Sequence, residues 1–196
     1  MLHEQALERL LEILKDGGTW VLTGSTAFAL QGMKVAPGDI DIQTDVEGAY
    51  SIARLLSASF PGCEIDPVAL RESELIRSHL GRFNVLGVKV EVMGGMQKRK
   101  PEGPWEPTPD IASLRTFTYW KSRAVPVLPL AYEREAYVRM GRRDRAEQLG
   151  KFLEVHKVYV SRKLPGQAFS ALSTFRVNLW PEEDELGRLR SLVPPD

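Results

Sequence analysis

Disulfide chemistry has almost no raw material in this chain: Cys63 is the single cysteine, so no internal disulfide can form, and the count fits a reducing compartment. Long hydrophobic runs are missing too. The apolar stretches fall well short of the ~20 residues that span a bilayer, so no membrane partner is expected. Met1 to Leu14 alternates charges with leucines, where a secretory leader would show a basic stretch, an apolar run and a small-residue cleavage site; a cytoplasmic location is the expectation. Net charge is also absent. With 26 basic and 26 acidic residues, nothing draws the chain over a distance toward nucleic acid or an anionic surface, and any such partner has to be held locally. Neither the G-x-x-x-x-G-K-[ST] P-loop nor the G-x-G-x-x-G dinucleotide turn occurs, and there is no internal repeat or low-complexity tract.

Core-forming residues, by contrast, are plentiful. The 196 residues are 43% hydrophobic, too apolar for a disordered chain and enough for one domain with a small helical appendage. Leu2, Ala6, Leu7, Leu10, Leu11 and Leu14 recur at helical spacing up to a Gly17-Gly18 stop. A short strand, Thr19 to Leu22, a break at Gly24-Ser25 and a short helix from Thr26 to Gln31 follow, with Ser25 or Thr26 as candidate N-cap. Ile40 and Ile42 alternating with Asp39 and Asp41 predict a second strand, after which Asp45 caps a helix carrying Ala49, Ile52, Ala53, Leu55 and Leu56. Cys63 to Leu70 and Ser78 to Val92 favour strands, the latter a hairpin turning near Leu86-Gly87. Gly94 to Pro109, with Lys98-Arg99-Lys100, reads as a long connection. Ile111 to Tyr119, Leu130 to Met140 and Asp144 to His156 read as helices, and Glu182 to Leu192 as a short one in a proline-broken tail. The domain expectation is a core over residues 1–110 and a C-terminal helical region over 111–196 packed on it.

Chemistry concentrates in a few of these residues. Side chains alternate faces along a strand, so Asp39 and Asp41 project together while Ile40 and Ile42 enter the core. Two carboxylates that close repel unless a cation lies between them, and hard oxygen donors suit Mg2+ or Mn2+. The same alternation puts Glu91 with Lys89 and Met93, opposite Val88, Val90 and Val92, so a neighbouring strand would supply a third carboxylate. A solvated strand face is the bland alternative for D-x-D alone. Gly24-Ser25 adds context: glycine lets a phosphate approach the backbone, and the serine hydroxyl is a further donor. Lys89 could reach phosphate or simply pair with a carboxylate. Lys98, Arg99 and Lys100 could grip a polyanion or merely be solvated. His79, His156 and Cys63 are assigned no chemistry; Trp105, Tyr119 and Trp120 could stack on a base, with core packing or covering a helix the preferred reading.

Together, Gly24-Ser25, a short helix, a loop, Asp39-Ile40-Asp41-Ile42 and the later Val88-Lys89-Val90-Glu91-Val92 resemble the signature of the DNA polymerase β-like nucleotidyltransferases. The resemblance spans roughly Trp20 to Glu91, and the stretch from Val125 through Asp144 is similar to the helical end of small bacterial members. It implies an α+β fold, a small mixed or antiparallel sheet flanked by helices, with a C-terminal helical region. It implies an enzyme using a nucleoside triphosphate as substrate and Mg2+ or Mn2+ as cofactor. Asp39, Asp41 and Glu91 would be metal-binding and catalytic, with Gly24, Ser25 and Lys89 on the phosphates. A nucleoside monophosphate would pass to an acceptor hydroxyl on a small molecule, RNA or protein, releasing pyrophosphate. A homodimer sharing its active site suits small members. Where lincosamide and aminoglycoside nucleotidyltransferases often carry a basic residue just before D-x-D, Ala36-Pro37-Gly38 stands here, which points away from the antibiotic-modifying branch. The alternative function is a non-catalytic nucleotide-binding or toxin–antitoxin-type interaction protein on the same fold.

Overall fold

Apolar residues on alternate positions of Ile40–Thr44 (β2), with Ile40 and Ile42 fully buried, put this strand at the centre of a seven-stranded mixed sheet. The computed structural model describes residues 2–163, with side chains from His3 to His156 apart from Asp16. The helix expected over Glu182 to Leu192 lies outside the described residues. β2 pairs antiparallel with Trp20–Thr23 (β1) and parallel with Val88–Lys98 (β5). β5 pairs in turn with Ile76–Val85 (β4), and β4 with Glu64–Glu72 (β3) at one edge. At the other side β1 pairs parallel with Arg123–Val127 (β7), whose antiparallel partner Thr116–Trp120 (β6) forms the far edge. The order is therefore β3-β4-β5-β2-β1-β7-β6.

Helices Leu2–Ile13 (α1) and Val46–Ser59 (α3) carry Ala6, Leu7, Leu10, Ala49, Ile52 and Leu56 into the same core as Leu22, Ile40, Ile42, Val90 and Val92. Asp45 caps α3 as expected, its Oδ1 accepting from Gly48 N at 2.6 Å. Gly24–Leu30 (α2) follows β1 directly; its N-cap is Thr23 and no side chain caps it, so neither Ser25 nor Thr26 has that role. The hairpin between β4 and β5 turns at Leu86 and Gly87, both with positive φ. On the opposite face of the sheet, Val21 and Leu128 meet Ile111 of Ile111–Leu114 (α4) and Tyr132 of Leu130–Arg139 (α5). Arg143–Lys163 (α6) packs on α5.

Two expectations are corrected. Ile111 to Tyr119 is not one helix: α4 lasts four residues, and Thr116–Trp120 becomes the edge strand β6. The long connection begins later than Gly94, because β5 continues to Lys98 through a bulge in which three β5 steps, Gly94 to Gln97, face two β4 steps, His79 to Arg77.

Candidate active site

Parallel pairing of β2 with β5 sets Asp41 directly beside Glu91, and antiparallel pairing with β1 sets Thr23 on the other flank of Asp41. Asp39 lies one residue ahead of β2. Lys89 joins the group from β5: its Nζ is 2.9 Å from Asp39 Oδ2 and 3.4 Å from Glu91 Oε1. The structure thus brings Asp39, Asp41, Glu91 and Lys89 together at one end of the central strands. Gly24 belongs there too. At its φ of +66° a β-carbon would stand 2.2 Å from Asp41 Oδ2, so the turn closes over the carboxylate only because the residue is glycine. Ser25 follows in the first turn of α2, partly exposed.

Electrostatics set Asp41 apart. Burial first, then the charges of Asp39 and Glu91, push its carboxyl pKa up to about 7, against the opposing pull of Lys89. Lys89 is raised in turn, chiefly by its hydrogen bond to Asp39. The site has more negative charge than its lysine offsets, and its donors are hard carboxylate oxygens, so in chemistry and charge it fits a divalent cation. Among the described residues no three acidic, histidine or cysteine side chains stand ready-made around one point, and Lys89 Nζ bridges Asp39 and Glu91.

Several neighbours were not legible from the sequence. Arg82 on β4, the cross-strand partner of Glu91, donates from Nε to Glu91 Oε1 at 2.9 Å and from a terminal nitrogen to Asp66 Oδ2 at 2.7 Å. Glu133 of α5, 4% exposed, accepts from the Thr23 hydroxyl. Gln43, next on the Asp41 face, is 1% exposed and neither amide atom has a hydrogen-bond partner. The bulge in β5 returns Lys98 to this face; it is buried, lies 4.9 Å from the Tyr132 ring, and burial lowers its pKa. Strand pairing and helix packing produce the Arg82, Glu133 and Lys98 contacts, and no local motif announces them. Residues outside this group fall elsewhere: Arg99 stacks over Trp105 and Trp120 is core, while His79 and His156, assigned no chemistry, bond Tyr50 Oη at 3.0 Å and the Phe152 carbonyl. A hollow of about 650 Å³ between α5 and α6, lined by Arg134, Val138, Gly141, Arg143 and Glu147 among others, does not include Asp39, Asp41 or Glu91.

A glycine turn against a carboxylate strand, with a third acid on the parallel neighbour, is the arrangement that the resemblance to the nucleotidyltransferases implies. Comparison with known proteins gives the same class: the aminoglycoside-2''-adenylyltransferase family model matches residues 6–150, and the chain belongs to that family. A Thermotoga maritima protein assigned as a nucleotidyltransferase is 40% identical over 78% of this chain and 92% of its own, with a TM-score of 0.65. ANT(2″)-Ia, solved with adenylyl-2″-tobramycin, shares the fold at 10% identity, covering 81% of this chain and 95% of that one at a TM-score of 0.50. No protein with a curated description matches the sequence. The protein is therefore an enzyme of the nucleotidyltransferase class. The expectation drawn from Ala36-Pro37-Gly38 is corrected at family level, since lacking a basic residue before D-x-D does not remove the chain from a family named for an antibiotic-modifying activity. Among the described residues no helix is long and apolar enough to cross a membrane.

Proposed function

We propose that this enzyme transfers a nucleoside monophosphate from a nucleoside triphosphate to an acceptor hydroxyl, with Asp39, Asp41 and Glu91 holding Mg2+ or Mn2+. The observation that carries this reading is the side-by-side placement of Asp41 and Glu91 with the Gly24 backbone closed against Asp41. A bound divalent ion would neutralise the triphosphate and make the acceptor oxygen more nucleophilic. The chain's own groups do the rest. Gly24 and Ser25 hold the polyphosphate, and Lys89 turns from the carboxylates to the phosphates, a short step for an exposed, flexible side chain. The acceptor oxygen bonds to the α-phosphorus, the bond to the β-phosphate bridge breaks, and pyrophosphate leaves. Glu91 takes the acceptor's proton once Lys89 has turned away.

The division of labour follows the chain: residues 1–110 carry the transfer site and residues beyond 110 shape the acceptor side. The family's description, and the adenylyl-tobramycin bound to ANT(2″)-Ia, make ATP and an aminoglycoside hydroxyl the first pair to test, followed by RNA and protein hydroxyls. Pyrophosphate release with Mg2+ is the readout. Asp39→Ala and Asp41→Ala are each expected to lower it by at least about a hundredfold. Unchanged turnover in both variants would remove these residues from the site.

A further inference from the structure

The first helix reaches the candidate site through one hydrogen-bonded path. His3 Nε2 lies 3.0 Å from Thr26 Oγ1, and Thr26 Oγ1 lies 2.6 Å from the carbonyl oxygen of Asp39. A carbonyl only accepts, so the Thr26 hydroxyl donates to Asp39 and has no proton left for the imidazole; His3 must donate its Nε2 hydrogen to Thr26. Burial lowers the pKa of His3 against the pull of Asp39 and Glu4, which favours the neutral ring. Thr26 is 1% exposed, so no bulk water competes for its hydroxyl.

The rest of α1 explains why His3 is so placed. Ala6, Leu7 and Leu10 are buried in the main core, and Glu4 and Glu8 lie 3.9 and 3.6 Å from Lys121 Nζ at the β6–β7 turn. Such exposed pairs contribute little on their own, and core packing fixes the helix. Asp39 needs tethering because it precedes the paired part of β2, which begins at Ile40. Its carboxylate is tied to Lys89 and its carbonyl to Thr26.

We propose that His3 is a positioning residue of the transfer site: acting through Thr26, it fixes the backbone of Asp39 so that this carboxylate faces the metal-bound nucleotide. This rests on the proposed role of Asp39. Substrate need not touch His3. The relay requires a donor at the imidazole position, not an acid or a base, and that requirement separates it from simple packing.

The test uses the full chain with His3→Gln, which keeps a side-chain N–H donor, His3→Phe, which keeps a packed ring without a donor, and Thr26→Val, which removes the relay. Binding of Mn2+·ATP is measured by calorimetry and, independently, by Mn2+ electron paramagnetic resonance, with melting temperatures recorded alongside. His3→Phe and Thr26→Val should each weaken binding about fivefold, the worth of one hydrogen bond, while His3→Gln stays within about twofold of the parent. The double variant His3→Phe/Thr26→Val should be no weaker than Thr26→Val, because both act along one path. Losses that multiply, or a His3→Gln as impaired as His3→Phe, overturn the proposal. Should His3→Phe fail to fold, His3→Leu takes its place as the variant without a donor and is judged by the same criteria. Asp39→Ala is the control. If it abolishes binding while His3→Phe and Thr26→Val do not change it, only the positioning role falls; if Asp39→Ala leaves binding intact, the site assignment falls with it.

Discussion

Asp41 is where folding and the proposed function pull in opposite directions. Its carboxyl titrates near 7 in the folded protein against 3.8 when solvated, because burial and two neighbouring carboxylates disfavour the charge. Folding therefore favours the protonated acid: that stability is fully present below about pH 4 and is lost as pH rises through 7. Asp41→Asn removes the titration. Between pH 5 and pH 8, in the absence of metal and nucleotide, the parent protein should lose about 2–3 kcal/mol of stability relative to Asp41→Asn. Urea unfolding of both proteins at the two pH values measures this; parallel pH profiles would show that Asp41 is not so perturbed. Gly24 belongs to the same argument. Alanine there faces both a φ of +66° and a carboxylate oxygen 2.2 Å from its new methyl, so Asp41 must rotate away. Gly24→Ala should cost only about 1–2 kcal/mol of stability yet lower Mg2+-dependent turnover more than about tenfold. A fully active Gly24→Ala would show that the turn has more room than the geometry allows.

Elements that sequence reasoning located are those whose signals are local. The β2 strand shows in the alternation of Ile40 and Ile42 with aspartates, and the β4–β5 hairpin in a Leu86-Gly87 turn flanked by β-branched residues. The β6–β7 hairpin gives no such notice. Its turn residues, Lys121 and Ser122, both hold positive φ without a glycine or asparagine, so the usual mark of a tight turn is missing. Ile111 and Leu114 at helical spacing then made the strand beyond them read as helix. The β5 bulge hides in the same way. Nothing in Gly94-Gly95 says that the next residues change face, yet that change takes Lys98 out of an expected charged loop and buries it against Tyr132. Among the residues gathered at the candidate site, strand alternation gives the faces of Asp39, Asp41 and Glu91 from the sequence, and the pairing of β2 with β5 then joins them, whereas Arg82 and Glu133 arrive from other elements through pairing and packing. Gly94 is where α3 and β5 meet closely. A methyl there would meet Ala49 Cβ and the Asp45 carbonyl, each at 2.6 Å, where α3 lies on the strand. Gly94→Ala should cost about 1–3 kcal/mol in chemical denaturation through overpacking, with Mn2+·ATP affinity of the folded fraction unchanged. A neutral effect on stability would mean that α3 can withdraw from β5 freely.

Across the whole molecule, the helices after the sheet are joined to the strands before it by buried polar contact as well as by apolar packing. Thr23, at the end of β1, donates to Glu133 of α5, 110 residues further along the chain, and both side chains are buried. Thr23 is also the cross-strand neighbour of Asp41, and the Glu133 charge adds to the forces raising the Asp41 pKa. Between α5 and the carboxylates stands only one strand, β1. If this contact couples the two regions, breaking it from either side should leave the same kind of defect: a buried hydroxyl without an acceptor, or a buried carboxylate without a donor. Thr23→Val and Glu133→Met should each destabilise by about 1–3 kcal/mol. The double variant replaces the pair with apolar groups of similar size and orphans nothing, so it should fall short of the sum of the singles by about 1 kcal/mol or more. Four urea denaturation curves close this cycle. Additivity to within about 0.5 kcal/mol would show that Thr23 and Glu133 are neighbours without energetic coupling, leaving apolar packing alone to join α5 to the sheet.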